Sequence, residues 1–383
     1  MGAETDCHDI ADLRRAARAR LPRGLFDYVD RGCDGETGLA GNRAAFDAIR
    51  FAPRVLTDVS TRSLEATLLG MRHAMPMAIA PMSPAGILWF EGEGELAAAA
   101  SAAGIPYTLP TESMTALDTI ASIPGAKWFQ LYIWADRGLT RELVARVAAA
   151  GYQALLVTVD TAVSPWRAFN ERSGFGTPFR PTIANIADML AHPRWLAGTM
   201  GRYALARGLP RLENHPGTPK RTVLQPALPE TRLNPSLTWD DIGDIRRLWP
   251  GKLLVKGILR PDDAIRALEC GADGIVVSNH GARNLDAAAA PIAVLPAIAA
   301  AIAGRGHILL DSGIRHGSDI ARALALGAEG VLIGRPALYG LATSGRAGAS
   351  RALAILRKEF DTTLAMLGCR SPAEITADLV TSG

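Results

Sequence analysis

Eight short apolar runs recur along the chain, separated by alanine-rich helical patterns that stop on glycine. The runs are MAIA (77–80), PYTL (106–109), WFQLYI (128–133), ALLVTV (154–159), KLLVK (252–256), DGIVV (273–277), HILLD (307–311) and GVLIG, which ends at Gly334. Their hydrophobicity is continuous rather than alternating, the mark of strands covered on both faces in a parallel sheet wrapped by helices. Between them lie GELAAAASAAG (94–104), RELVARVAAAG (141–151), PDDAIRALECG (261–271) and SDIARALALG (318–327), each closing on the residue type that ends helices. This alternation favours an α/β chain folded as a (β/α)8 TIM barrel over a doubly wound sheet. The whole chain, 1–383, reads as one domain. Residues 1–60, with helical stretches near 9–20 and 36–48, form an N-terminal helical lobe, and 61–165 with 237–383 form the barrel.

One interval breaks the rhythm, because about 70 residues more than a strand-helix unit needs separate the fourth run from the fifth. The stretch 166–236 therefore reads as an insertion after strand 4, over the face where barrels place their chemistry. Residues 176–221 within it hold seven Lys or Arg against Asp188 and Glu213, a net of +5, whereas the rest of the chain sums to −2. HPRWLAGTMGRYALARGLPRL mixes Trp195, Leu196, Met200, Tyr203 and Leu205 with Arg194, Arg202 and Arg207, the composition of a basic amphipathic surface element. Overall, 41 basic and 38 acidic residues show no excess that calls for nucleic acid.

The cysteines Cys7, Cys33, Cys270 and Cys369 have no CxxC spacing, and the acidic N-terminus has no apolar stretch of signal length; both point to reduced thiols in the cytoplasm. Ala287–Gly304 lacks charge but is alanine-rich and carries Pro291 and Pro296, so it reads as a packed helix. Histidine spacing suggests no catalytic metal. GEGELA (92–97) imitates the start of a dinucleotide fingerprint, yet Glu91, Glu93 and Glu95 would repel a pyrophosphate.

Barrels carry function at the C-terminal ends of their strands. Those ends present Pro81, Met82 and Ser83; Pro110 and Thr111; Gln130 and Tyr132; Thr158 and Asp160; Lys256; Ser278, His280 and Arg283; Asp311, Gly313 and Arg315; and Gly334 with Arg335. DSGIRHGSD and IGRPALYG combine glycines with Arg315 and Arg335 after strands 7 and 8, where barrels commonly hold a phosphate. Lys256 on an apolar strand needs an acceptor partner; it reads either as a Schiff-base lysine or as a charge beside an electron-accepting ring. His280 beside Arg283 suggests a base next to a carboxylate clamp, with Asp160 to support the imidazolium and Arg167, Tyr28 and Tyr132 as neighbours.

SNHGARNLD (278–286), together with FQLY, LVKG, DSGIR and IGRP in the same order, resembles the FMN-dependent 2-hydroxy acid oxidising enzymes. The likeness runs from LFDYVDRGCDGETGLAGNRAAF (25–46) to GCRSPAEI (368–375). ILWFEGE, HPRW, RLWPGKLLVKGIL and SDIARALALGAEGVLIGR are most similar to the membrane-associated mandelate dehydrogenases of that family.

The resemblance implies FMN as cofactor, with His280 as base supported by Asp160, and Arg167 and Arg283 holding the substrate carboxylate. Tyr28 and Tyr132 would hydrogen-bond the substrate. Pro81, Met82, Ser83, Gln130, Thr158, Lys256 and Ser278 would contact the flavin ring or ribityl chain, and Asp311, Gly313, Arg315, Gly334 and Arg335 its ribityl and phosphate end. It further implies oxidation of a mandelate-like (S)-2-hydroxy acid to the 2-oxo acid, with electrons passed to a quinone. The enzyme would be a homo-tetramer lying on the inner face of the cell membrane through 176–221. A soluble oxidase using dioxygen is the alternative within the family, and a non-redox FMN- or phosphate-binding barrel the alternative outside it. Pro110, Met82, Pro165 and Asn170 depart from the family pattern, and Met82, Trp134, Pro165 and Trp166 are expected to shape the substrate pocket.

Overall fold

Each apolar run is a strand in the computed structural model, which describes residues 4–176, 178–217 and 220–381. The strands are β1 (Met77–Ile79), β2 (Tyr107–Pro110), β3 (Lys127–Leu131), β4 (Ala154–Thr158), β5 (Lys252–Ile258), β6 (Gly274–Val277), β7 (His307–Leu310) and β8 (Gly330–Ile333). They pair in parallel in chain order, and β8 returns to β1 through Val331 opposite Met77, closing the barrel. The β3 run extends two residues less than WFQLYI suggested, and β5 runs two residues beyond KLLVK.

The closed sheet explains the continuous hydrophobicity. Alternate side chains point to opposite faces of a strand. Ala78, Ala80, Trp128, Ala154, Leu156, Leu254, Val276, Leu309 and Leu332 fill the barrel interior. Their neighbours, among them Ile79, Leu109, Phe129, Val157, Val255, Ile275 and Ile333, pack outward against the helices. An antiparallel hairpin, Ala66–Leu68 with Met71–His73, plugs the lower end. Its Leu68 occupies the space a Cβ on Gly330 would need, 2.5 Å away, so that glycine is required for closure.

The N-terminal lobe contains α1 (Ile10–Arg20), α2 (Arg23–Asp30) and α3 (Thr37–Ala48). Asp9 opens α1 with a capping box completed by Asp12. The sequence reading missed α2, whose eight residues follow Pro22 with no side-chain cap; burial of Leu25, Phe26 and Val29 holds it in place and brings Tyr28 to the barrel mouth. The uncharged stretch 287–304 contains the helix Pro291–Ile302, as expected. GEGELA begins the helix Gly92–Ala102, where Glu93 is fully buried and accepts from Gly86 N, Met114 N and Thr115 Oγ1. It is a structural carboxylate that ties the loops after β1 and β2 together.

The insertion is more firmly docked than its composition suggests. Trp195 and Tyr203 are buried; Trp195 Nε1 donates to Ile87 O at 2.8 Å, and Tyr203 packs on Phe90 with centroids 4.8 Å apart. Arg202 covers the Phe90 ring at 4.2 Å and Arg207 pairs with Glu91 at 2.9 Å. Those four residues, expected on an amphipathic surface, bind the insertion to the ILWFE loop instead. Among the apolar groups left exposed are Ile183 (89%), Ile186 (43%) and Leu190 (64%) on the helix Ile183–Leu190, with Leu205 (92%); Trp166, Leu209, Leu224 and Leu228 are exposed elsewhere in the insertion. Thr177, Thr218 and Pro219 of the insertion lie outside the described residues. Among the described residues no helix is long and apolar enough to cross a membrane.

Candidate active site

The inward parity of the strands continues upward past the apolar layer. One step above Leu156, Leu254, Val276 and Leu309 stand Thr158, Lys256, Ser278 and Asp311, so a polar layer, with Met82 above Ala80 at its edge, caps the packed interior. A cavity opens there, lined by Tyr28, Pro81, Met82, Ser83, Lys256, His280, Arg283, Asp311, Gly313, Arg315, Gly334 and Arg335. Gln130, Tyr132, Thr158, Asp160, Arg167 and Ser278 do not line it; they stand behind or beside the residues that do.

Lys256 is 4% exposed, and its ammonium lies 3.0 Å from Asp311 Oδ2 and 2.9 Å from Ser278 Oγ. Burial alone would lower its pKa, but the charges of Asp311 and Asp160 outweigh that and raise it. With its ammonium engaged by Asp311 and Ser278, Lys256 fits a charge beside an electron-accepting ring better than a Schiff-base nucleophile. A β-bulge follows, with Gly257 at φ +111. A Cβ there would come within 2.6 Å of Asp160 Cβ, so the glycine lets Asp160 lie against β5.

Asp160 Oδ1 is 2.8 Å from His280 Nδ1. Burial pushes its carboxyl up, yet His280 and its hydrogen bond, with Lys256 and Thr161, hold it down to about 2. Asn284 Nδ2 fixes the same segment through Asp160 O (2.9 Å) and Thr161 Oγ1 (2.7 Å). With Nδ1 committed to Asp160, the other ring nitrogen, Nε2, is the one available to a ligand.

The turn that presents His280 is strained. His280, Gly281 and Ala282 have φ of +57, +67 and +58, a left-handed run in which only the glycine is at ease. Each backbone N–H in it has a partner: Ser278 Oγ for His280, Ser312 Oγ for Gly281 and Asn279 Oδ1 for Ala282, all at 2.9–3.1 Å. Ser312, itself at φ +73, and Asn279 escaped the sequence reading because Ser and Asn after a strand look like ordinary turn residues.

Arg167 donates from Nε and Nη2 to the carbonyl of Arg283 at 3.1 and 2.8 Å. Both guanidinium carbons lie within 6 Å of the Tyr28 ring centroid, at 5.9 and 5.0 Å. Burial and then the charge of Arg167 push Arg283 well below its usual range, a conflict that an anion between them would relieve. Tyr132 is held by its backbone N–H on Thr111 Oγ1 at 3.0 Å, and burial, then the charge of Asp160, raises its hydroxyl.

At the other end of the cavity, burial lowers both Arg315 and Arg335, and the Arg315 charge pushes Arg335 further, to about 10. Arg335 opens the helical segment Arg335–Met366, which breaks at Ser344 and Gly345, directly after Gly334. A buried Arg335 at a helix N-terminus, with the half-buried Arg315 beside it in the cavity wall, suits a phosphate-sized anion. Gly313, at φ +99 with Phe46 3.1 Å from where a Cβ would stand, could be no other residue without strain. Gln130 Nε2, at the end of β3 behind the lining residues, is buried with no hydrogen-bond partner. A pair of arginines at one end of the cavity and a buried ammonium along it, with an orphan amide donor behind its wall, fit FMN.

Comparison with known proteins agrees. The profile of the FMN-dependent dehydrogenase family matches residues 17–382. The chain is 39% identical over 373 residues to (S)-mandelate dehydrogenase of Pseudomonas putida, covering 97% of this chain and 93% of that protein. It is 42% identical over 372 residues to L-lactate oxidase of Nostoc sp., covering 96% of each. The crystal structure of the monotopic membrane protein (S)-mandelate dehydrogenase superposes with a TM-score of 0.93 at 38% identity, covering 99% of this chain and 100% of that one. The cavity and the whole-length likeness lead to one assignment: this chain belongs to the FMN-dependent dehydrogenase family and is an FMN-dependent oxidoreductase acting on 2-hydroxy acids.

Proposed function

We propose that the substrate is a mandelate-like (S)-2-hydroxy acid, oxidised to the 2-oxo acid, with electrons leaving to a membrane quinone. The observation that carries the residue assignments is the His280–Asp160 pair at 2.8 Å beside the Arg167–Arg283 pair, a base next to a carboxylate seat. Arg167 and Arg283 hold the substrate carboxylate, and Tyr28 and Tyr132 hydrogen-bond the carboxylate or hydroxyl. His280 Nε2 accepts a proton from the substrate, and Asp160, still ionised, stabilises the imidazolium that forms. Bound FMN supplies the two-electron acceptor for this chemistry. Gln130, Thr158, Lys256 and Ser278, with Pro81, Met82 and Ser83, surround its ring and ribityl chain, and Asp311, Gly313, Arg315, Gly334 and Arg335 take its ribityl and phosphate end. Anaerobic bleaching of the flavin across acids from glycolate to mandelate tests the substrate; fastest bleaching by lactate would overturn the aryl preference.

The membrane reading rests on the exposed Ile183, Ile186 and Leu190 beside the basic Arg180 and Arg194, and on the likeness to a monotopic membrane enzyme. Replacing all three apolar residues by Ser should move the protein from the membrane pellet to the supernatant with its flavin retained. A wild-type protein already in the low-salt supernatant would refute the reading. The similarity to an L-lactate oxidase supports a second one, a soluble oxidase. Hydrogen peroxide formed at the rate of turnover would favour it over the quinone. A homo-tetramer belongs to the same proposal, and light scattering reads it directly.

A further inference from the structure

The insertion reaches back to the barrel mouth through a charged cluster that the chemistry above leaves unused. Glu112 follows Pro110 and Thr111 at the end of β2. Its Oε1 lies 2.8 Å from His215 Nε2, and its Oε2 accepts from Arg221 Nη2 at 3.4 Å. His215 and Arg221 belong to the insertion and are 1% and 6% exposed. The two segments are also stitched together by Glu213 N donating to Ser113 O at 3.0 Å and Leu117 N donating to Asn214 Oδ1 at 2.9 Å.

On its other side, Glu112 borders the site. Its carbonyl accepts from Ser83 Oγ, a cavity-lining group, at 2.6 Å. Thr111, its chain neighbour, accepts the backbone N–H of Tyr132 at 3.0 Å. The hydroxyl of Tyr132, raised first by burial, is raised further by the charges of Asp160 and Glu112. The His215 ring stands 5.0 Å from Trp134, and its Nδ1 has no hydrogen-bond partner among the described residues. His215 Nε2 makes the short contact to Glu112, and Arg221 supplies the fixed opposing charge. A bare carboxylate at this position would repel an anionic substrate.

We propose that Glu112, His215 and Arg221 form a charge-compensated positioning cluster, in which the insertion neutralises a carboxylate beside Tyr132 and so sets the affinity for the hydroxy acid anion. The inference rests on Tyr132 flanking the substrate. It makes Arg221 and Glu112 affinity determinants of opposite sign, although neither is a catalytic residue.

The test is steady-state kinetics of Arg221→Gln, Glu112→Gln and the double variant as flavin-loaded enzymes, using whichever hydroxy acid bleaches the wild-type flavin fastest. Removing one unit charge near the mouth, in a medium between protein and water, should change binding of an anion about three- to tenfold. Arg221→Gln should therefore raise KM by that factor and Glu112→Gln lower it, with kcat within about twofold in each. The double variant, with both charges gone, should return to the wild-type KM. If both single variants raise KM, or the double variant is no better than Arg221→Gln, the cluster is merely structural and the inference fails. Should Arg221→Gln not fold, Glu112→Gln decides alone: a lower KM supports the proposal, and an unchanged or higher one overturns it. Failure of the functional reading looks different, because the wild-type flavin would then be bleached by no hydroxy acid at all.

Discussion

Replacing Asp160 by Asn isolates what its charge does for His280. A free Asp carboxyl titrates near 3.9, about two units above the value of about 2 for this one. Two units correspond to roughly 2–3 kcal/mol in favour of the ionised form, after the burial penalty has been overcome. A carboxyl held below its unfolded pKa contributes stability that is present above about pH 4 and is lost as pH falls toward 2. Asn keeps the shape of the side chain and loses the charge that steadies the imidazolium as His280 takes the proton. Its amide can also turn a donor toward Nδ1, favouring the wrong tautomer. If that energy serves the transition state, flavin reduction slows about 30- to 100-fold. The substrate Kd should change less than about threefold, because Arg167 and Arg283 remain. Anaerobic stopped-flow bleaching separates the two quantities. A bleaching rate within about threefold of wild type would refute the assignment of Asp160 as the partner on which His280 depends. Chemical denaturation gives a second reading: the stability advantage of wild type over Asp160→Asn should be about 2–3 kcal/mol at pH 7 and shrink as pH falls from 4 toward 2.

Lys256→Met leaves the Asp311 carboxylate buried without its cation, which should destabilise the fold by about 3–5 kcal/mol in urea unfolding and weaken flavin retention on gel filtration. A wild-type unfolding midpoint would show that water rather than the ion pair satisfies Asp311. Gly257→Ala places a methyl 2.6 Å from Asp160 Cβ at a φ of +111, so a loss of about 1–3 kcal/mol and slowed bleaching should appear together. Loss of stability with normal bleaching would mean that Asp160 keeps its place against His280 despite the methyl.

The primary sequence by itself determined the barrel, because strands buried on both faces must be apolar throughout, and eight such runs alternating with glycine-stopped helices leave few other closures. It also marked the residues that carry chemistry, since a Lys, His or Arg at the end of an apolar run has no structural reason to be there. The sequence could not assign parity. With both faces apolar, nothing in MAIA or ALLVT says which side chains face inward, and only closure of the sheet brings Met82, Thr158, Lys256, Ser278 and Asp311 into one layer.

Pairings across long separations were equally hidden. Asp160 with His280 is 120 residues apart and Glu112 with Arg221 is 109, and no local pattern encodes either. The insertion shows the limit most clearly. Its composition, aromatic and basic together, fits a free amphipathic surface and a docked one alike. Only the tertiary structure decided that Trp195, Tyr203, Arg202 and Arg207 bind the ILWFE loop while Ile183, Ile186 and Leu190 face outward, because burial is a property of what packs against a residue and not of the residue itself.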